Sequence, residues 1–144
     1  MSAYLPAKRP LTVTLILWGV ILFGIWNLGR AVTLYQQLDV LLTLNIILDP
    51  RIRLVMACGW MMIFFWLARA VWKKKPYSLI AIPIVLVCYA LNDFFLQQFA
   101  PIATNLNGLM RSLFFIAIII LIYGMLNRPQ TKQYFTTELL DEEV

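Results

Sequence analysis

Four long apolar runs divide this sequence, and each is long enough to cross a lipid bilayer as a helix. The hydrocarbon core of a bilayer is about 30 Å thick, so a spanning helix needs roughly 20 apolar residues. The runs place the spans at about 11–35, 52–72, 77–99 and 107–126, and they predict an all-α membrane protein with four transmembrane helices. With 62% hydrophobic residues among 144, little of the chain remains for a separate soluble domain.

The segments outside the spans are short and polar. Residues 1–10 form an N-terminal arm, residues 11–127 form the transmembrane domain, and residues 128–144 form a polar tail with an acidic end. The apolar run that begins at Leu11 is too long for the core of a typical signal peptide, so we expect it to stay as the first span. The composition of the tail is typical of a solvated segment without a fixed fold, and docking of the tail on a partner is the alternative.

The connection between the first and second spans contains a shorter apolar segment. Val40 to Leu48 is largely apolar but has only nine residues, too few to cross the bilayer. It fits a short helix in the membrane interface or an extension packed over the helix bundle. The pair Asp49-Pro50 that follows predicts the start of a helix, with aspartate as the N-cap and proline at the first helical position.

The distribution of lysine and arginine predicts how the chain is oriented, because these residues are enriched on the cytoplasmic side of membranes. If the N-terminus is cytoplasmic, eight of the 12 basic residues lie inside and four lie outside. The inner residues are Lys8, Arg9, Arg69, Lys73, Lys74, Lys75, Arg128 and Lys132. The outer residues are Arg30, Arg51, Arg53 and Arg111. We therefore expect both termini to be cytoplasmic, in the cytoplasmic (inner) membrane of a bacterium.

One acidic residue, Asp93, lies inside a predicted span, and charges within membranes usually face other helices and pair there. At about 1.5 Å per residue, Asp93 lies about 24 Å above the inner end of its span, and Arg30 lies about 28 Å above the inner end of the first span. Arg111 lies about 6 Å below the outer end of the fourth span. These three charges are therefore predicted to meet near the outer leaflet.

Each charge in this predicted cluster has a polar companion on its own helix face. The companions are Asn27 beside Arg30, Tyr89 and Gln97 beside Asp93, and Asn107 beside Arg111. We favour the interpretation that the cluster is an ion-paired clasp that fixes the register of the helices. The alternative is that two arginines against one aspartate leave positive charge for an anionic headgroup or substrate.

Residues that support redox or metal chemistry are sparse. The chain has no histidine, which removes the usual ligand of haem and the commonest ligand of zinc, and Cys58 and Cys88 form no CxxC pair. We therefore expect no cofactor and no metal site. Four tryptophans suggest a slot for a lipid tail or a quinone, although tryptophans that face lipid or pack between helices are commoner. These are Trp18, Trp26, Trp60 and Trp66.

These features predict a protein that is not an enzyme. Within the spans only Asp93 is a candidate general acid or base, and neither a nucleophile nor a metal set accompanies it. We expect an accessory or assembly subunit of a larger membrane protein complex, in contact with lipids and with other subunits. The alternative is a small oligomeric transporter, or a protein that binds a lipid or an anion through Arg30, Asp93 and Arg111. The basic residues lie at the ends of apolar runs, which argues against a nucleic-acid partner.

The predicted orientation is testable by cysteine labelling in intact cells. In a chain that carries Cys58→Ala and Cys88→Ala, we expect a membrane-impermeant maleimide to label Asp39→Cys from outside. The same reagent should miss Lys74→Cys until the membrane is opened, since this lysine lies in a predicted inner loop. The reverse pattern of labelling contradicts the orientation.

Overall fold

The computed structural model describes the backbone of residues 9–43, 49–98 and 105–141, and the side chains of all of these except 97–98, 105–109, 111–112 and 136–141. These ranges contain six α-helices and no strand, so the predicted all-helical fold is confirmed. The helices are α1 (Leu11–Gln36), α2 (Leu38–Thr43), α3 (Pro50–Trp72), α4 (Ser78–Gln98), α5 (Asn105–Leu126) and α6 (Pro129–Asp141).

Three of these helices are long and apolar enough to cross a membrane, which agrees with an integral membrane protein. The qualifying segments are Leu11–Gln36, Pro50–Trp72 and Ser78–Leu96. In the described residues, Leu113–Leu126 and Pro129–Phe135 also qualify as a pair, with a bend of 69° between them. The chain therefore has three candidate spans, or four if the bent pair is one span. The count of four spans and the orientation of the termini stay predictions.

The start of α3 follows from the local sequence. Asp49 Oδ1 accepts a hydrogen bond from the backbone N–H of Arg51 at 2.8 Å, and Pro50 is the first helical residue. The predicted N-cap is thus confirmed. It satisfies one of the backbone donors that every helix leaves free at its first turn. Of the predicted interfacial segment, residues 40–43 belong to the short helix α2, and residues 44–48 lie outside the described residues.

The core forms where the helices bury one face each. α1 packs most extensively against α3, and α4 packs against α5 and α3. The buried residues of α1 recur at three- and four-residue spacing and so share one helix face. They are Val13, Ile16, Leu17 and Val20, and they pack with Phe64, Leu67 and Val71 of α3 and with Ile82, Leu86 and Tyr89 of α4.

The polar tail begins with a helix that docks on the bundle, so the expectation of a solvated segment without a fixed fold is wrong for residues 129–135. In α6, Thr131, Tyr134 and Phe135 are buried, at 0%, 7% and 1% exposure. These positions lie at i, i+3 and i+4 and form one helix face. The average composition of the tail conceals this face because polar residues separate its members.

Hydrogen bonds hold α6 against the start of α1. Thr131 Oγ1 donates to the carbonyl oxygen of Met125 at 3.0 Å, which leaves it as the acceptor for Thr12 Oγ1, also at 3.0 Å. Arg9 Nε donates to the Tyr134 hydroxyl at 3.1 Å. The same guanidinium lies 4.7 Å from the centre of the Trp72 ring, a cation–π distance. Arg9, the start of α1, the end of α3 and the start of α6 therefore meet at one end of the bundle.

The docking of α6 gives a testable stability difference. Phe135→Ala removes a buried ring, and truncation of a core phenylalanine costs about 3–5 kcal/mol. We expect the Tm of the purified protein in detergent to fall by roughly 10 °C. Gln130→Ala, an exposed position in the same helix, should leave the Tm unchanged. If the two variants have the same Tm, the docked position of α6 is contradicted.

Candidate functional site

The structure brings four of the predicted cluster residues together between α1 and α4. Asn27 and Arg30 lie one turn apart on α1, and Tyr89 and Asp93 lie one turn apart on α4. Arg30 Nη1 is 3.3 Å from Asp93 Oδ1, which is a hydrogen-bonded ion pair. The same nitrogen lies 3.5 Å from the Tyr89 hydroxyl oxygen, at the edge of hydrogen-bond range.

Asn27 connects this ion pair to the helix backbone. Its Nδ2 donates to the carbonyl oxygen of Phe23 at 2.9 Å and lies 3.3 Å from the Tyr89 hydroxyl. The Tyr89 hydroxyl is also 3.4 Å from Asn27 Oδ1, so the phenol can act as donor or acceptor toward the amide. Asn27 and Tyr89 are almost completely buried, which makes these hydrogen bonds necessary for the stability of the site.

The two charges of the ion pair differ in their access to the surroundings. The Asp93 side chain is 3% exposed and the Arg30 side chain is 30% exposed. The carboxylate is thus shielded between helices, whereas the guanidinium extends from the shielded end toward the outside of the bundle. This arrangement suits a membrane interface, where a long basic side chain keeps its charged end near water.

An aromatic cage fixes the position of the Tyr89 hydroxyl. The ring of Tyr89 makes edge-to-face contacts with four other rings, with centroid distances between 5.2 and 5.8 Å. The four rings belong to Phe23, Trp60, Phe64 and Phe115. Such contacts stabilise the packing beyond the burial of apolar area. The polar cluster therefore rests on a rigid apolar base.

A second polar contact lies beside the cluster, and the sequence analysis missed it. Trp60 Nε1 donates to Asn92 Oδ1 at 3.1 Å and so joins α3 to α4. Asn92 is an amide inside an apolar span, which was a sign that its side chain meets a polar partner. Sequence alone could not show which of the five tryptophans donates this hydrogen bond.

The third predicted charge lies outside the described part of the site. The side chains of Gln97, Asn107 and Arg111 are among those the structure does not describe. The meeting of Arg111 with Asp93 therefore stays a prediction. The favoured interpretation, an ion-paired clasp between helices, agrees with the geometry of Arg30 and Asp93.

The four tryptophans of the predicted slot are placed differently from one another. Trp26 lines two large grooves beside α1, and Trp18, Trp60 and Trp66 line neither of them. Trp66 stacks on Tyr77 with a centroid distance of 5.6 Å, and Trp60 belongs to the aromatic cage. The structure does not gather the four around one groove, since similar depth in the membrane leaves the direction of each side chain around its helix undetermined.

Two grooves open on the exposed side of α1. The partner groove, as we name it, has a volume of about 790 Å³ and lies between α1 and α5. The arginine groove has a volume of about 660 Å³ and lies between α1 and the start of α3. The partner groove is lined by Leu15, Ile16, Gly19, Leu22, Phe23, Trp26, Phe114, Phe115, Ile118, Leu121, Ile122 and Met125. The arginine groove is lined by Leu22, Ile25, Trp26, Gly29, Arg30, Thr33, Leu34 and Arg53.

Arg53 is a second residue that the sequence analysis did not place in a site. It lies in the first turn of α3 and lines the arginine groove. Its Nε and Nη2 are buried and have no hydrogen-bond partner among the described residues. Its position one residue after Ile52, at the start of an apolar helix, suggested only a basic residue that marks a membrane boundary.

The chemistry available at the polar cluster is limited. Asp93 is held by Arg30, and the described residues contain no group of three or more metal-ligating His, Cys, Asp or Glu side chains. Both cysteines are free thiols. The arrangement is suited to joining helices and to binding, and we assign it no catalytic step.

The clasp predicts a coupled effect of its two charges. Asp93→Asn leaves Arg30 without a carboxylate partner, and loss of one member of a buried pair costs about 3–5 kcal/mol. Because Arg30 is partly exposed, we expect a loss nearer to about 2 kcal/mol, measured as a lower Tm in detergent. The double variant Arg30→Gln/Asp93→Asn should recover part of this loss, since the charge that Asp93→Asn leaves on Arg30 is then removed as well.

The control for this cycle is Asp39→Asn, which removes a carboxylate that is exposed in α2. Its Tm should match that of the unchanged protein. A double variant that is as unstable as the two single losses added together contradicts the coupling between Arg30 and Asp93.

The chain matches no protein-family model, no curated protein and no solved structure. Its own residues and geometry therefore carry the inference of function.

Proposed function

We propose that this chain is a non-catalytic accessory subunit of a larger membrane protein complex, and that it binds a transmembrane helix of a neighbouring subunit in the partner groove. The observation that carries the proposal is the groove itself, about 790 Å³ of apolar space between two helices of one bundle. The described residues that line it carry no charge, so an occupant that contacts them is apolar there.

The dimensions of the partner groove suit a helix. On α1 its wall runs from Leu15 to Trp26, and on α5 it runs from Phe114 to Met125. Each wall spans a rise of about 16 Å, or three turns. An occupant that lies along both walls would contact the groove over about half the thickness of the hydrocarbon core.

Gly19 lines the partner groove, and its missing side chain leaves room for another backbone to approach. A Cβ atom built at Gly19 meets no atom within 4 Å, so the space above this residue is open. In membranes the association of helices depends on close packing, and small residues at the contact allow it. An apolar surface in lipid gains little from burial alone, so the shape of the groove supports a specific helix more than a general preference for apolar contact.

The proposal includes four spans with both termini in the cytoplasm of a bacterial cell. Arg9 and Thr12 near the start of the chain contact Tyr134 and Thr131 after the last long helix. The two ends of the bundle-forming chain therefore lie on one side, which supports an even number of crossings. The excess of basic residues on that side supports its assignment to the cytoplasm.

The alternative, a transporter or anion-binding protein built on Arg30, Asp93 and Arg111, has less support as it stands. Arg30 and Asp93 neutralise each other at 3.3 Å, so the pair itself offers no net charge to a substrate. The observation that favours anion binding lies elsewhere, at Arg53.

Photo-crosslinking tests the partner groove. A photoreactive phenylalanine analogue at Leu15, which is exposed and lines the groove, should capture another polypeptide in native membranes. The same analogue at Met62, exposed on α3 and outside the groove, should not. Adducts that contain only lipid, or only a second copy of this chain, contradict the proposal.

A pair of glycine variants then tests whether the captured protein depends on the groove. Gly19→Leu fills this part of the groove, and overpacking of about 1–3 kcal/mol predicts roughly tenfold less partner in co-purification. Gly59→Leu is the matched control, because its Cβ also meets no atom within 4 Å but it lines neither groove. Equal loss in both variants contradicts a role of the groove.

A further inference from the structure

The guanidinium group of Arg53 contains buried nitrogens that have no hydrogen-bond partner among the described residues. Its Nε and Nη2 are enclosed and unpaired, although guanidinium nitrogens in a low-dielectric setting require an acceptor. The nearby Arg30 offers no acceptor, since it is itself a cation and is engaged by Asp93. A guanidinium without a partner in a groove calls for an acceptor that the described residues do not supply.

The surroundings of Arg53 define the acceptor. The arginine groove holds two guanidinium groups, and none of the described residues that line it carries a carboxylate. Arg30 is balanced by Asp93, so the groove keeps the charge of Arg53 and attracts an anion. Arginine binds phosphate oxygens through two parallel N–H donors, so a phosphate group suits a guanidinium in this groove.

The apolar part of the groove distinguishes a lipid from a soluble anion. Beside the two arginines, the lining consists of Leu22, Ile25, Trp26 and Leu34, with Gly29 and Thr33 between them. A small soluble anion gains no contact energy from this apolar surface, whereas an acyl chain packs against it. Trp26, 60% exposed, has the amphipathic ring that is enriched where hydrocarbon meets headgroups.

From this juxtaposition we propose that the arginine groove binds an anionic phospholipid, with its phosphate on Arg53 and an acyl chain along the apolar wall of α1. Thr33 lines the same groove. Its hydroxyl donates to the Gly29 carbonyl at 3.0 Å, which keeps the side chain in a fixed rotamer. The site is distinct from the partner groove because Arg53, Arg30 and Thr33 do not line that groove.

Lipid binding to variants at two neighbouring arginines tests the site. Purified protein is mixed with phosphatidylglycerol or phosphatidylcholine, and the bound lipid is measured by native mass spectrometry. The unchanged protein should retain phosphatidylglycerol in preference to phosphatidylcholine. Arg53→Gln should weaken retention of phosphatidylglycerol about tenfold, as expected for the loss of hydrogen bonds to a charged group. Arg51→Gln, in the same first turn but exposed and outside the groove, should retain it as the unchanged protein does.

Thermal unfolding provides a second measurement that does not depend on comparing yields of variants. Phosphatidylglycerol should raise the Tm of the unchanged protein and of Arg51→Gln, because a ligand of the folded state stabilises it. It should not raise the Tm of Arg53→Gln. If Arg53→Gln does not fold, Arg53→Lys serves instead, with a several-fold loss of retention expected because an ammonium group lacks the two-donor fork.

Three results overturn the proposal. The first is equal retention of phosphatidylglycerol by the unchanged protein and the folded Arg53 variant. The second is equal retention of the two lipids by the unchanged protein. The third is displacement of phosphatidylglycerol by inorganic phosphate at millimolar concentration, which identifies a site for a soluble anion. Since Gly19→Leu leaves Arg53 unchanged, failure of the partner groove and failure of the lipid site are separate outcomes.

Discussion

The ion pair between Arg30 and Asp93 is the constraint on which the helix arrangement depends. A charge within an apolar bundle is stable only when it is paired and hydrogen-bonded, so α1 and α4 must place these two side chains at one level. α1 packs mainly against α3, and the ion pair between Arg30 and Asp93 also connects α1 to α4. Asn27 and Tyr89 complete the hydrogen bonds, and the rings around Tyr89 keep the phenol in place. Polar and aromatic contacts thus determine one register for helices whose other surfaces are largely apolar.

The exposed side of α1 carries both grooves for which we propose an occupant. Leu22 and Trp26 separate the partner groove from the arginine groove and line both of them. The partner groove is apolar, and its length suits a helix. The arginine groove combines an apolar wall with the guanidinium of Arg53, whose buried nitrogens have no partner among the described residues. A lipid and a neighbouring subunit would therefore lie side by side along one helix. Such an arrangement gives the proposed accessory subunit a lipid at its boundary with the complex.

Much of the helical fold was predictable, and the reasons lie in particular residues. Apolar runs of span length located α1, α3 and α4, and Asp49-Pro50 located the start of α3 to the residue. The level of Arg30 and Asp93 followed from the rise per residue of a helix. The docking of α6 did not follow, because Thr131, Tyr134 and Phe135 are three positions in a polar segment and their partners Arg9 and Thr12 lie at the other end of the chain.

The sequence by itself indicated a membrane protein, located the long helices α1, α3 and α4, and showed charges that had to find partners, since these depend on hydropathy and on local backbone preferences. Only the tertiary structure decided which face of each helix is covered. It showed that Asp93 pairs with Arg30 and that Trp60 donates a hydrogen bond to Asn92. It also showed that the buried nitrogens of Arg53 have no acceptor among the described residues. The physical reason is that depth along a helix is set by residue number, whereas direction around the helix acquires meaning only when another helix packs there.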